Sequence, residues 1–257
     1  MISDTKVVAI GGGTGLSTML KGLKLHTHNI TAVVTVADDG GSSGILRSDL
    51  GMLAPGDVRN CVSALAEVDP VMGELLNFRF KDGSLKGHSL GNLFLAALNE
   101  TSSSFDEAVK KFSHLAGVVG TVYPVTNESV TLSALLEDGR LIEGESHIGV
   151  HHDGPKNGIV KLMVNPEKPK AVDGVIKALE KADIIVLGPG SLYTSIIPNL
   201  LVDGVVDAIK KSNAVKIYVC NIMSQVGETE NYTVSDHLAA IERHSYEGIA
   251  DIVIANN

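Results

Sequence analysis

The sequence has no tryptophan and only two cysteines among 257 residues, and aromatic residues make up 4% of it. Cys61 and Cys220 form no Cys-x-x-Cys pair and have no histidine near them in sequence. Buried free thiols are therefore expected, and not a disulfide framework or a zinc site. With so few aromatic side chains, the core has to consist of Val, Ile, Leu and Ala. That composition is typical of a parallel sheet covered by helices.

Positive charge and long apolar runs are also scarce. The formal net charge is -9, which argues against a broad nucleic-acid surface because phosphate backbones are bound mainly by Lys and Arg. A local anion site remains compatible with this charge. No segment reaches the roughly 20 apolar residues of a membrane span, and the N-terminus lacks the pattern of a signal peptide. We therefore expect a cytoplasmic protein that neither binds nucleic acid nor crosses a membrane.

The first hundred residues alternate short apolar runs with segments of helical periodicity. Residues 6–10 are apolar, 11–15 are rich in Gly, 16–26 have helical spacing and 30–37 are rich in β-branched residues. This is a βαβ unit with two parallel strands. The same reasoning predicts helices at 56–67, 90–100, 104–116, 171–182, 202–212 and 235–245 (capped by Ser235 or Asp236), a strand and turn at 183–191, and strands at 215–222 and 250–257.

The intervening residues, about 121–165, show the alternation of strands around the turn Glu137-Asp138-Gly139-Arg140, which is typical of a hairpin. We predict a single three-layer α/β domain over residues 1–257, with a mainly parallel sheet and a β-hairpin-rich insertion at about 121–165. The last predicted strand ends at Asn257. Because a parallel sheet seldom ends a domain at a strand, we expect a further C-terminal segment.

Two Gly-rich loops are predicted to follow strands, at the edge of a parallel sheet where ligands bind. The first precedes a helix, so its N–H groups could bind a phosphate, with the Thr14 hydroxyl as a further donor. It lacks the third Gly of the dinucleotide fingerprint and the Lys of a Walker loop, so a tight turn without a ligand is the alternative. The candidate residues of this loop are Gly11, Gly12, Gly13, Thr14, Gly15 and Leu16.

Two aspartates, Asp38 and Asp39, end the second predicted strand, where a ribose-binding carboxylate is often found. They could accept hydrogen bonds from ribose, or one could hold magnesium. The alternative is a turn in which an Asp caps its own loop. The residues that follow add glycines and hydroxyls in series, more than a turn requires: Gly40, Gly41, Ser42 and Ser43.

Three further segments supply candidate ligand contacts at the same edge. Asp57, Arg59 and Asn60 begin a predicted helix, with a surface helix charge as the alternative for Arg59. Asn92 could read a base or sugar edge, although helix capping by Ser89 is an alternative for that segment. The late loop resembles a second phosphate or ribose cradle and contributes Gly188, Pro189, Gly190, Ser191, Tyr193 and Thr194.

A histidine-rich segment contains His147, His151, His152 and Asp153, which could bind zinc. We expect it at the tip of the β-rich segment, away from the strand-end edge, and favour a polar surface loop. The sequence has no Gly-x-Ser-x-Gly elbow, so a hydrolase is not supported.

Six motifs in order, IGGGTGLS, VTVADDGGSSG, PGDVRN, GHSLGNL, GPGSLYTSIIPNLL and YVCNIMSQVGET, resemble the YvcK family of bacterial gluconeogenesis factors in the CofD-like superfamily. The resemblance implies a Rossmann-like, CofD-like fold and a nucleotide site. The YvcK branch is associated with binding UDP-sugars, notably UDP-N-acetylglucosamine, and with cell shape, cell-wall synthesis and gluconeogenic growth. CofD itself transfers a phospholactyl-type group from a guanosine diphospho-donor to a deazaflavin, using magnesium.

The resemblance places a diphosphate against residues 12–16, with Asp38, Asn92 and the 188–194 loop near the nucleoside. It implies a UDP-sugar-binding regulatory factor with protein partners in the cell envelope or central metabolism, which could form homo-oligomers.

The alternative is a magnesium-dependent transferase with Asp39 and Asp57 as metal ligands; an NAD-binding protein is a weaker alternative. A deazaflavin needs a stacking surface, so the low aromatic content favours binding over that transfer. No catalytic residue is assigned. Family members continue beyond the segment that reads IANN here, so contacts from their tail are not part of this sequence.

Overall fold

The computed structural model describes residues 3–67, 69–150 and 158–256. The strands in these ranges are β1 (Val7–Gly11), β2 (Ile30–Val34), β3 (Thr121–Pro124), β4 (Thr131–Leu136), β5 (Leu141–Glu143), β6 (Ile159–Asn165), β7 (Ile184–Leu187), β8 (Val215–Val219) and β9 (Ile252–Ile254). The α-helices are α1 (Gly13–Leu23), α2 (Gly41–Leu50), α3 (Gly56–Leu65), α4 (Pro70–Asn77), α5 (Leu90–Glu100), α6 (Phe105–Leu115), α7 (Glu145–Ile148), α8 (Asp173–Lys181), α9 (Ile197–Leu200), α10 (Val205–Lys211) and α11 (Val234–Arg243), and a π-helical turn (Leu192–Ile196) precedes α9.

The main sheet has six parallel strands in the order β3-β2-β1-β7-β8-β9. Its centre is β1, where Val7 pairs with Ile30 of β2 on one side and Ile184 of β7 on the other. All five residues of β1 are buried, because helices cover both faces of a parallel sheet. Strand order reverses between β1 and β7, so the crevice beyond their carboxyl ends is the position at which a doubly wound sheet binds its ligand. The Rossmann-like three-layer fold predicted from the sequence is confirmed.

The β-rich insertion is shorter than predicted. Strand β3 runs parallel to β2 and forms an edge of the main sheet, pairing Thr121 with Thr31. Only β4, β5 and β6 form the separate antiparallel sheet, in the order β5-β4-β6, and the hairpin around residues 137–140 joins β4 to β5 as predicted. Four alternating residues fit the edge of either sheet equally well, so the pattern alone did not assign β3.

Several helix boundaries also differ from the prediction. Helix α1 begins at Gly13, within the Gly-rich loop, and α2 forms from the Gly/Ser segment, for which no helix was predicted. The N-cap of α11 is Thr233, and not Ser235 or Asp236 as predicted. Asp236 is instead the third residue of the helix, and its side chain completes a capping box with Thr233. Within the described ranges, every helix is too short or too polar to cross a membrane.

Candidate functional site

The loops that follow β1 and β7 touch at the point where the strand order reverses. A Cβ atom on Gly15 would lie 2.8 Å from the carbonyl oxygen of Pro189, and one on Gly190 would lie 3.3 Å from the carbonyl oxygen of Gly12. Gly13 has φ +66° and Gly188 has φ +82°, in the region that favours glycine. The two predicted Gly-rich loops therefore form one structure, named the cradle here and comprising residues 11–16 and 188–191.

The cradle leaves the N-terminus of α1 available to a ligand. Its N-cap, Gly12, has no side chain that could bond the first-turn N–H groups. The Gly13 N–H donates to Asp57, and the other first-turn donors can bind an anion. Thr14 is exposed beside them, whereas the Leu16 side chain is buried in the core and can present only its backbone. A groove of about 550 Å³ adjoins the cradle, lined by Thr14, Gly15, Thr18, Met19, Pro189, Val219, Cys220, Asn221, Ile222 and Met223.

The segment after β8 holds the second loop of the cradle from behind. Glu228 is buried, and its Oε2 accepts from the Tyr193 N–H at 2.8 Å while its Oε1 accepts from the Thr194 hydroxyl at 2.8 Å. Ser191 Oγ donates to Gln225 at 2.7 Å, and Gly190 N–H donates to Asn221 at 3.3 Å. Sequence reasoning did not identify Glu228 as a site residue, although it lies in the last of the six motifs that resemble the YvcK family.

Two residues predicted to contact the ligand, Tyr193 and Thr194, use their hydroxyls in hydrogen bonds to other parts of the protein. The Tyr193 side chain is fully buried. Its hydroxyl lies 3.1 Å from the carbonyl oxygen of Ile159 and 2.9 Å from the hydroxyl of Tyr232, and it forms hydrogen bonds with both. Thr194 donates its hydroxyl to Glu228. The structure thus places both side chains behind the cradle, where they support it.

Carboxylates gather beside the cradle, and we name Asp38, Asp39, Asp57, Glu145 and Glu228 the acid wall. A Cβ on Gly12 would lie 2.6 Å from Asp57 Oδ2, so only glycine allows this close approach. Burial raises the pKa of Asp57 to about 6, with a smaller contribution from Asp38 and an opposing hydrogen bond from Gly13. Burial and the other four carboxylates raise the pKa of Glu145 to about 7.

Helix α7 of the insertion lies over this wall, held by Asp39. The N–H of Glu145 donates to Asp39 Oδ2 at 3.0 Å, and the N–H of Ser146 donates to Oδ1 at 2.8 Å. His147 is therefore close to the strand-end edge, because a Cβ on Gly144 would meet both Asp39 Oδ2 and His147 Nδ1. The prediction that this segment lies away from that edge was wrong for His147, since the insertion folds back over the cleft. His151, His152 and Asp153 lie outside the described residues.

The acid wall offers a poor fit for the metal pair suggested by the resemblance. Across residues 3–67, 69–150 and 158–256, no three His, Cys, Asp or Glu side chains are arranged to hold a metal ion. Both oxygens of Asp39 already accept backbone hydrogen bonds, so it would have to release α7 to bind magnesium. Asp38 accepts only from the Gly40 N–H through Oδ1 among the described residues. Asp38 and Asp57 are therefore the better pair of oxygen ligands.

A second polar group lies beyond the acid wall, and we name Ser42, Arg59, His88 and Asn92 the donor cluster. All four are buried, so Arg59 is not the surface helix charge considered as the alternative. Arg59 Nε donates to Asn92 Oδ1 at 3.3 Å, Asn92 Nδ2 donates to Ser42 Oγ at 3.1 Å, and Ser42 Oγ lies 3.0 Å from His88 Nδ1.

The helix ends around the donor cluster position these side chains. Ser89 caps α5 by accepting from the Asn92 N–H, which was the alternative considered for that segment. A Cβ on Gly56 would lie 2.6 Å from Ser43 Oγ and 3.0 Å from Asp38 Oδ2, which places the start of α3 against both. Asn60 is half-buried one residue after Arg59 on α3, and Gly41 begins α2 with φ +46°. The predicted residues 38–43, 57–60 and 92 thus converge on one cleft.

The acid wall predicts a pH dependence of stability. The folded protein raises the pKa of Glu145 from 4.5 to about 7, so it binds more protons than the unfolded chain between these values. The contribution of Glu145 to stability is therefore lost as the pH rises from about 4 to about 7. Glu145→Gln mimics the neutral acid and should raise the free energy of unfolding at pH 7.5 by on the order of 2 kcal/mol, with little effect at pH 4.5.

Urea denaturation at both pH values measures this difference. Glu143→Gln is the matched control, because Glu143 is exposed on the neighbouring strand β5 and its substitution should leave stability unchanged at both pH values. Equal effects of Glu145→Gln at pH 4.5 and pH 7.5 would contradict the electrostatic account of the acid wall.

Comparison with known proteins identifies the family. The CofD family, described as 2-phospho-L-lactate transferase CofD, matches residues 7–257. A candidate gluconeogenesis factor of Clostridium acetobutylicum is 52% identical over 100% of this chain and 57% of its own length. The gluconeogenesis factor of Bacillus subtilis is 46% identical over 98% of this chain and 78% of its own length.

The chain thus spans little more than half of the Clostridium relative. A crystal structure of a Bacillus halodurans protein superposes with a TM-score of 0.94 at 46% identity, covering 100% of this chain and 81% of that one. Matches of this extent, over the whole chain and with the same fold, show that the chain belongs to the gluconeogenesis-factor family of CofD-like proteins.

Proposed function

We propose that this protein binds a nucleotide sugar of the UDP-N-acetylglucosamine type and acts as a regulatory factor. The observation that supports this most is the cradle, in which two Gly-rich loops meet at the point of strand reversal and in which α1 begins with a glycine N-cap that offers no side chain to its first-turn N–H groups. A diphosphate accepts hydrogen bonds from such N–H groups and is favoured by the positive end of the helix dipole.

The acid wall suits the remainder of such a ligand. Carboxylates accept hydrogen bonds from hydroxyl groups, and a nucleotide sugar carries hydroxyls on both its ribose and its sugar ring. Asp57 Oδ2 lies close to Gly12 of the cradle, and Asp38 Oδ2 lies close to Gly56 at the start of α3. Together, donors at the cradle and acceptors at the wall match a ligand with a charged centre and hydroxylated ends.

The regulatory part of the proposal comes from the family. Occupancy of the cleft would change how the protein associates with partners in the cell envelope or central metabolism, with effects on cell shape, cell-wall synthesis and gluconeogenic growth. The proposal places the protein in the cytoplasm and includes self-association as a homo-oligomer.

One observation favours a second function, a CofD-like magnesium-dependent transferase. The acid wall brings negative side chains next to the position proposed for a diphosphate, and Asp38 adds to the effect of burial in raising the pKa of Asp57. Magnesium would relieve this crowding and screen the charge of the diphosphate when bound. Asp38 and Asp57 would hold it.

Thermal unfolding with a panel of ligands tests the proposal. UDP-N-acetylglucosamine should raise the melting temperature, because a ligand at 100 times its Kd stabilises the native state by about 2.7 kcal/mol. UDP, GDP and NAD at the same concentration should give smaller shifts. No shift with UDP-N-acetylglucosamine at millimolar concentration, beside a clear shift with GDP or NAD, would overturn the nucleotide-sugar proposal.

Two substitutions locate the site. Asp38→Asn keeps the oxygen that accepts from Gly40 but removes the negative charge, so it should abolish the ligand-induced shift without unfolding the protein. Gly13→Val places a branched side chain at a residue with φ +66° and should do the same at some cost in stability. Asp49→Asn, on the exposed side of α2, is the control and should behave like the wild type. Retained affinity in both site variants would show that the ligand binds elsewhere.

A further inference from the structure

The donor cluster is a buried cationic site without a matching carboxylate. Arg59 is only 8% exposed, and the salt bridges of the described residues do not include it. Its guanidinium donates to two amide oxygens, Asn92 Oδ1 at 3.3 Å and Asn77 Oδ1 at 2.9 Å. Buried charges are normally paired or hydrogen-bonded to compensating groups, whereas the hydrogen bonds of Arg59 go to neutral amides and Asp57 attracts it without forming a salt bridge.

A second arginine lies on the same side of the cleft. The backbone of Arg79 pairs with that of Ser89, the N-cap of α5, and its side chain donates to the carbonyl of Gly87. Burial lowers the pKa of Arg59 most, repulsion from Arg79 lowers it further, and the attraction of Asp57 opposes both by a smaller amount. In a protein of net charge -9, two arginines held together beside a helix N-terminus are an unusual concentration of positive charge.

The hydrogen-bond chain from Asn92 through Ser42 to His88 has one N–H or O–H group without an acceptor among the described residues, in either tautomer of His88. Ser42 Oγ accepts from Asn92 Nδ2 and bonds His88 Nδ1. If Ser42 donates to His88, the N–H of His88 is on Nε2, which has no partner among the described residues. If His88 donates to Ser42, the serine hydroxyl proton is spare. Arg59 Nη2 also lacks a partner in the described ranges, so the cluster presents donors and positive charge but few acceptors.

The cluster is separate from the cradle. Asp57 approaches Gly12 of the cradle, whereas Arg59, two residues further along α3, bonds Asn77 at the end of α4 and Asn92 of α5. The two side chains therefore have different neighbours. A diphosphate held by the cradle would leave the hydrogen bonds of the donor cluster unchanged.

We infer that the donor cluster, with Arg79, binds the phosphate or carboxylate group of a second small molecule, distinct from the nucleotide in the cradle. Such a group would accept from Arg59 Nη2 and from the free end of the Asn92–Ser42–His88 chain, and its charge would compensate the two arginines. The donor cluster therefore gives the cleft a second ligand of anionic character, and this inference does not require that the first ligand is a UDP-sugar.

Calorimetric titration with inorganic phosphate tests the inference, with acetate as a second probe. Phosphate should bind in the millimolar range both to the free protein and to protein saturated with UDP-N-acetylglucosamine, and acetate should bind more weakly because it carries less charge. Ser42→Ala, Arg59→Gln and Arg79→Gln should each weaken phosphate binding about tenfold, the loss of one charged hydrogen bond. Arg79 is exposed, so its variant tests the site even if Arg59→Gln does not fold.

Two controls separate this site from the cradle and from general charge. Lys177→Gln removes one exposed positive charge from α8 and should leave phosphate binding unchanged. Gly13→Val should weaken the nucleotide but not phosphate. Loss of phosphate binding in Gly13→Val with retention in Ser42→Ala and Arg79→Gln, or competition between phosphate and the nucleotide sugar, would overturn the inference. Phosphate binding without UDP-N-acetylglucosamine binding would refute the proposed function and leave the second site standing.

Discussion

Substituting Gly15 with alanine is expected to lower the affinity for the nucleotide ligand by about 100-fold or more, equivalent to two lost charged hydrogen bonds. The new Cβ would lie 2.8 Å from the carbonyl oxygen and 3.0 Å from the carbonyl carbon of Pro189. Both contacts are with backbone, so the two loops of the cradle have to move apart. Separation of the loops displaces the N–H groups that would bind the diphosphate. Calorimetric titration with UDP-N-acetylglucosamine measures the loss.

Gly22→Ala is the matched control for this prediction. Gly22 lies on the same helix, α1, and a Cβ there meets nothing within 4 Å. Alanine should therefore stabilise the helix by about 0.5 to 1 kcal/mol and leave the affinity unchanged. If Gly15→Ala binds as tightly as Gly22→Ala, the close contact between the loops has no role in ligand binding.

Glu228→Ala is expected to lower the free energy of unfolding by about 3 kcal/mol, because it leaves buried donors without an acceptor. The carboxylate accepts from the Tyr193 N–H, the Thr194 hydroxyl and the Gln225 side-chain amide, at 2.8, 2.8 and 3.1 Å. These bonds join the segment after β8 to the second loop of the cradle. The substitution should therefore also weaken the nucleotide ligand, and urea denaturation and calorimetric titration measure the two effects.

Glu230→Ala provides the comparison, because it removes the same side chain two residues away at a half-buried position. It should change stability by less than about 0.5 kcal/mol. Glu228→Gln retains one acceptor oxygen and should recover part of the stability lost in Glu228→Ala. Equal stability of the Glu228→Ala and Glu230→Ala proteins would show that the buried carboxylate does not hold the loop.

The elements of the main sheet were predictable because their signals are local. The strand and Gly-rich turn around Ile10 and Gly13, and the helix from Leu90 to Glu100, depend on the order of neighbouring residues, and the structure confirms them. The Gly/Ser segment that forms α2 was not predicted, because glycine and serine have low helix propensity and this helix depends on tertiary contacts. The order of the strands in the sheet could not be predicted either, because it depends on contacts between residues far apart in the sequence.

The site divides in the same way. Its two Gly-rich loops and its aspartates follow strands and could be identified from sequence. Glu145 and Glu228 come from distant segments, and the bond between Glu145 and Asp39 spans 106 residues, so no short motif joins them. Arg59 illustrates the opposite case, since its position on a helix was predicted but its burial follows from the packing of α5 against α3.

Asp38 and Asp39 are adjacent in sequence but face different parts of the molecule. Asp38 bonds within the cleft at Gly40, while Asp39 holds the start of α7 through two backbone hydrogen bonds. The carbonyl of Asp39 is also packed tightly against Gly44, which restrains the chain on its other side. A single peptide bond therefore links a residue of the cleft to a residue that holds the insertion. A bound molecule that displaces Asp38 is expected to move Asp39, and with it the start of α7.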